Sequence, residues 1–138
     1  CIQFFEATKP VLVELKSAGH YLSIVSTKYT KRIDAALKRD GLDSLIDHIV
    51  GGDKVEQSKP SPEGLEFAIK QSGIKKKDTL YIGDSPSDGK TSINAGVRFI
   101  AVLTGVTGLK KLEAYQPIEI LNSLELLPAI VQKLDCGV

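Results

Sequence analysis

The chain has 138 residues, 42% of them apolar and 25% charged, the length and mix of one ordinary globular domain. Eighteen Lys and Arg against seventeen Asp and Glu leave a formal charge of +1, a balance that argues against a nucleic-acid polymer or a membrane surface as partner. Cys1 and Cys136 are too few for a disulfide framework and lack metal-ligand spacing, so a reducing, cytoplasmic setting is expected. The chain opens on Cys1 rather than Met and is expected to be a piece of a longer product.

Residues 10–16 read as a short helix, with Val11, Leu12 and Leu15 on one face and Pro10 at an N-terminal helical position. Gly19 closes it, and residues 21–25 read as a strand with Ser26-Thr27 at its carboxyl end. A second helix is predicted over 30–39, with Ile33, Ala36 and Leu37 as its stripe and Gly41 at a left-handed cap position. A brief helical turn at Leu45-Ile46 precedes a short strand over 48–50, which Gly51-Gly52 breaks. Residues 51–59 form a polar connector that Pro60 and Pro62 stiffen.

A helix over 62–72 should bury Leu65, Ala68 and Ile69. Residues 79–83 are the clearest core strand, followed at once by Asp84-Ser85-Pro86-Ser87-Asp88. A helix over 89–95 and a strand over 97–102 come next, then a loop over 103–108 and a helix over 109–115. A short edge strand is expected over 118–121, and Ser123 should cap a last helix carrying Leu126, Leu127, Ile130, Val131 and Leu134. Apolar strands alternating with helices mean an α/β fold, a mostly parallel sheet covered on both faces. Ligands collect beyond the carboxyl ends of such strands.

Three polar groups fall at or near that edge. Ser26 and Thr27 offer hydroxyls and main-chain N–H groups for an anionic oxygen; alone they fit a turn or a helix cap equally well. Lys59, in Lys59-Pro60-Ser61-Pro62, presents a point charge from a stiffened backbone, which suits a phosphoryl group; alone it would be a solvated lysine. Gly83 allows a sharp turn off the strand, and Asp84 and Asp88, four apart, can face one way if a helical turn forms. Two such carboxylates make a hard-oxygen site suited to Mg²⁺, although Asx-turn and cap chemistry also uses these residues. Together the groups describe a phosphate-and-magnesium pocket that still lacks a nucleophile. His20 and His48 are expected to be structural.

These motifs resemble the haloacid dehalogenase-like hydrolases, in the phosphoglycolate phosphatase- and pyrophosphatase-like branch. The resemblance rests on the hydroxyl residue Ser26 ending a core strand, on Lys59 in a Lys-Pro-x-Pro segment, and on Gly83 to Asp88 before a helix ending in Ala95-Gly96. It covers residues 5–134. It implies a three-layer Rossmann-like core over residues 1–138, with Ser26, Thr27 and Lys59 on the phosphate and Asp84 and Asp88 on Mg²⁺. Ser26, Lys59 and Asp84 would serve catalysis.

The chain departs from the family in lacking the opening Asp-x-Asp strand and the helical cap domain. In the family the first of those acids attacks phosphorus and the second is the acid–base. The absent strand is central, between the strands ending at Thr27 and at Gly83, so either a preceding segment or a neighbouring chain is expected to complete the sheet. The resemblance therefore implies a Mg²⁺-dependent phosphatase of small phosphorylated metabolites, of which this chain alone is an inactive portion. The other readings are a non-catalytic phosphate- or metal-binding scaffold on the same fold, and a receiver-type signalling domain. The receiver reading lacks its acidic pair and its phosphorylated Asp.

Overall fold

A computed structural model describes residues 8–103 and 109–136. In chain order the elements are α1 (Thr8–Ser17), β1 (Ser23–Val25), α2 (Thr30–Arg39), β2 (His48–Val50), α3 (Glu63–Ser72), β3 (Leu80–Gly83), α4 (Pro86–Ala95), β4 (Arg98–Val102), α5 (Leu109–Glu113), β5 (Glu119–Leu121) and α6 (Leu127–Cys136). Single 3-10 turns stand at Asp43–Leu45, Gly52–Lys54, Lys76–Asp78 and Leu124–Leu126. Helix α2 occupies its predicted span because its signals are local. Ile33 and Leu37 are buried on one face, and after it Gly41 takes a φ of 69° while Leu42 folds back with its N–H on Leu37 O at 2.8 Å.

Some boundaries differ from expectation, each for a physical reason. Helix α4 begins at Pro86, three residues earlier than predicted, because Ser85 caps it by accepting the Asp88 N–H and proline occupies its first turn. Asp88 therefore sits inside a helix and not in a loop before one. Strand β1 begins at Ser23; just before it, Leu22 is clamped by Asp47, whose Oδ2 accepts the Leu22 N–H at 2.8 Å and whose own N–H reaches Leu22 O at 2.8 Å. Ser123 accepts the Glu125 N–H but opens a 3-10 turn, so the last α-helix starts only at Leu127. The helix predicted over 109–115 stops at Glu113. The predicted loop beyond Leu103, residues 1–7 and the side chain of Cys136 lie outside what is described.

All strand pairs are parallel. Strand β1 pairs with β2, Ser23 opposite His48 through Val25 opposite Val50. Strand β4 lies between β3 and β5, with Tyr81 opposite Phe99 and Ala101 opposite Ile120. Alternation along β4 splits the core into two faces. Phe99 and Ala101 pack with Leu65 and Ile69 of α3, Ala95 of α4 and Leu112 of α5. Ile100 packs oppositely, with Val11 and Leu15 of α1 and Leu127 and Val131 of α6. Ile33 and Leu37 of α2 complete the second face against Ile24 and Ile49. The result is the expected three-layer α/β/α core. Among the described residues no helix is long and apolar enough to cross a membrane.

The strands form two sheets, β1-β2 and β3-β4-β5, and no ladder joins β1 to β3. A cavity of about 450 Å³ lies between them, lined by Leu22, Ser23 and Val25 on one side and by Leu80, Tyr81 and Ile82 on the other. Leu15 of α1 and Leu65 of α3 also line it. Those helices belong to opposite faces, so the slot has a roof, a floor and two strand edges. Parallel strands are ordinarily paired on both sides in a three-layer core. Among the described residues no strand pairs with the facing edges of β1 and β3, and the two do not pair with each other.

Candidate active site

Ser26 and Gly51 follow the parallel strands β1 and β2, Asp84 follows β3, and Lys59 joins the two ends, lining a cleft with Ser26 and pairing with Asp88. Ser26 is buried. Its N–H continues the β1–β2 ladder to Val50 O at 3.0 Å, and its Oγ accepts the Lys28 N–H at 3.2 Å. The Ser26 hydroxyl proton stays available to donate. Thr27 follows on the exposed loop. Ser26 and Lys59 line one narrow cleft with Val25, Val50 and Gly51.

Lys59 and Asp88 form the electrostatic centre of the site. Lys59 Nζ lies 2.7 Å from Asp88 Oδ1, and the two side chains retain 15% and 9% exposure. Tyr81 Oη donates to the same Oδ1 at 3.2 Å, and the Lys59 ammonium stands 6.0 Å from the centre of the Tyr81 ring. Asp88 Oδ2 accepts the Ser85 hydroxyl at 3.0 Å and the Asp84 N–H at 3.2 Å. Both carboxylate oxygens are thus satisfied within the protein, as a buried charge requires. A Cβ on Gly83 would fall 2.5 Å from Asp88 Oδ2, so only glycine lets the strand end come this close to that carboxylate. The Lys59–Pro60 peptide is cis, and Asn94 of α4 donates to Pro60 O at 2.9 Å, tying the Lys-Pro-x-Pro segment to the helix that carries Asp88.

Asp84 is half-buried, and its carboxylate meets no protein donor among the described residues. It is the acid of the pair with free oxygens. Among the described residues no three acids, histidines or cysteines gather closely enough to hold a metal by themselves. The structure therefore brings Lys59, Asp84 and Asp88 together through a shared hydrogen-bond network, and places Ser26 with Lys59 on one cleft. Tyr81 and Asn94 support this network without standing out in the sequence, where Tyr81 falls in the predicted core strand and Asn94 in the predicted helix over 89–95. His48 stacks on Phe67, and His20 precedes β1 on the slot wall; neither lines the Ser26–Lys59 cleft.

Burial pushes the Asp88 carboxyl up, but the Lys59 charge and the hydrogen bonds from Lys59, Ser85 and the Asp84 N–H outweigh it, and the group is held below the ordinary carboxylate range. Burial, then the charge of Asp88, push the Tyr81 phenol well up, so it stays a donor. A carboxyl whose folded pKa is depressed stabilises fully above its unfolded pKa, about 4, and loses that contribution as pH falls through the folded value. The urea midpoint should accordingly fall on acidification below about pH 4, and D88N should flatten that acid limb. An acid limb unchanged in D88N would assign it to other paired carboxylates, such as Asp47 beside Lys16.

Comparison with known proteins identifies the family. The profile of the haloacid dehalogenase-like hydrolases matches residues 1–102. The chain is 35% identical over 130 residues to the pyrophosphatase PpaX of Bacillus mycoides, covering 94% of this chain and 60% of that protein. Among crystal structures, a Bacteroides fragilis protein assigned to the haloacid dehalogenase-like hydrolases superposes with a TM-score of 0.87 at 40% identity, over 90% of this chain and 59% of its own. A Haemophilus somnus protein predicted to be a phosphoglycolate phosphatase superposes with a TM-score of 0.85 at 25% identity, over 94% of this chain and 58% of its own. The chain thus spans about 60% of the length of such relatives. On these matches the chain belongs to the haloacid dehalogenase-like hydrolases, in their phosphoglycolate phosphatase- and pyrophosphatase-like branch.

Proposed function

We propose that these 138 residues are the larger part of the core of a Mg²⁺-dependent phosphatase acting on small phosphorylated metabolites in the cytoplasm. The observation that carries the reading is the buried Lys59–Asp88 pair at the strand edge where Asp84 offers a free carboxylate and Ser26 opens on the same cleft as Lys59. Ser26, Thr27 and Lys59 would hold the phosphoryl oxygens. Lys59 is fixed by Asp88 and Tyr81, so its charge needs little rearrangement as negative charge develops on phosphorus.

The donor set fits Mg²⁺ in kind, since it is all oxygen. Asp84 would ligate directly, and Asp88 would act beside it while holding Lys59 and the Asp84 main chain. Bound Mg²⁺ would screen phosphate charge from an incoming carboxylate. Two acids leave room around a hard cation, and water, substrate and a group from the slot between β1 and β3 would supply the further oxygens. A strand in that slot, from a preceding segment of the parent protein or a neighbouring chain, would bring the attacking carboxylate, as the family resemblance implies. Attack on phosphorus would break the bond to the substrate's leaving oxygen, which departs as an alcohol or phosphate, and give an aspartyl-phosphate; water would then cleave that acyl phosphate, releasing inorganic phosphate and the free carboxylate.

The test is phosphate release by the intact protein, strand included, from pyrophosphate, phosphoglycolate and small sugar phosphates. Asp84→Asn and Lys59→Met should each lower kcat by about 10²–10³, the scale for removing one preorganised charge-stabilising group. Turnover within twofold of wild type in both variants would remove these residues from the reaction and the reading with them.

A further inference from the structure

Gly51, Gly52 and Asp53 lie in the connector after β2, and the reaction proposed above does not use them. Their geometry is nevertheless specific. A Cβ on Gly51 would stand 2.4 Å from Thr30 N, and one on Gly52 2.4 Å from Thr27 O. Only two glycines let this connector pass directly against residues 26–30. The Gly52 N–H then donates to Lys28 O at 2.8 Å. Asp53 Oδ1 accepts both the Thr30 N–H at 2.7 Å and the Thr30 hydroxyl at 2.8 Å. Tyr29, at the N-cap position of α2, makes no side-chain cap bond of its own. Asp53 therefore supplies that cap from a different loop, where a carboxylate also suits the helix dipole. The 26–30 loop is bonded at its start by Val50, in its middle by Gly52 and at its end by Asp53.

We propose that Asp53 is a positioning residue for the phosphate-binding loop, holding Ser26 and Thr27 in register with Lys59 by capping α2 through Thr30. The inference rests on the phosphatase reading. Asp53 is exposed, and an exposed residue without such a role would be replaced at little cost. A loop that must be ordered anew when phosphate arrives binds it more weakly. An asparagine keeps an oxygen that can accept from both Thr30 donors, whereas alanine removes it.

The experiment uses the intact phosphatase as wild type, D53N, D53A and T30V. It measures the Kd for inorganic phosphate, KM and kcat, and hydrogen exchange at the Lys28 and Thr30 amides. D53A should raise the phosphate Kd and KM about tenfold, the scale of a lost helix cap, with faster exchange at Thr30. D53N should stay within about threefold of wild type, and T30V, which keeps the amide donor, should fall between them. A D53A phosphate Kd and KM within twofold of wild type would overturn the inference, even if Tm fell. Equal losses in D53N and D53A would do the same, because charge and not the acceptor would then be responsible. Should D53A not fold, T30V decides, and an unchanged phosphate Kd there is a negative result. A wild type that binds no phosphate would overturn the phosphatase reading itself, an outcome distinct from a wild type that binds while its variants do not differ.

Discussion

Asp88→Ala is expected to lower the unfolding free energy by about 3–5 kcal/mol, the usual consequence of removing one partner from a buried, hydrogen-bonded ion pair. The Lys59 ammonium, with 15% of its side chain exposed, would keep its charge and lose its counter-ion. The Tyr81 hydroxyl, the Ser85 hydroxyl and the Asp84 N–H would lose the acceptor they share, each at a further desolvation cost. Urea unfolding should show the midpoint falling by at least about 1 M, given slopes of about 1–3 kcal/mol per molar for small domains. The double variant Lys59→Met, Asp88→Leu should recover most of that loss, since an apolar pair of similar volume often replaces a buried ion pair at little cost. A D88A loss under 1 kcal/mol would mean that Lys59 swings to solvent, and would take away the preorganised cation on which the phosphatase reading depends.

The 138-residue chain alone is expected to show no phosphate release; restoring a strand to the slot is expected to bring stability, and activity when the cap domain comes with it. The edges of β1 and β3 that line the slot carry main-chain donors and acceptors that no ladder joins across it. Each such group left unsatisfied when buried costs about 1–3 kcal/mol. A strand added in cis, or as a peptide carrying the family's Asp-x-Asp, would pair with both edges. At a concentration one hundred times its Kd, a peptide should stabilise the chain by about 2.7 kcal/mol. Turnover by the pure chain that D84N abolishes would show that some other group attacks phosphorus. A peptide that neither binds nor raises Tm would instead favour a scaffold that does not need the slot filled.

Much of the fold was legible because it depends on near neighbours along the chain. The apolar stripe of α2, the left-handed Gly41 after it, and the short β2 broken by Gly51 all follow from local preference. So did the site edge, since parallel strands must present their carboxyl ends together. The start of α4 lies three residues before the predicted one because Ser85 and Pro86 fit a turn and a helix start equally well, and only the Ser85 cap on the Asp88 N–H decides between them.

What the sequence determined by itself is the set of elements, the three-layer class and the residues Ser26, Lys59, Asp84 and Asp88, because periodicity, caps and motif spacing are written in adjacent positions. Only the tertiary structure decided which of those residues touch. It paired Lys59 with Asp88 across 29 residues, set the Tyr81 ring beside Lys59, and tied Asn94 to Pro60 and Asp53 to Thr30. Each of these is a contact between segments far apart along the chain, brought together by the packing of helices and loops around the strands. No local preference encodes such a contact, so it could be known only once the chain had been folded.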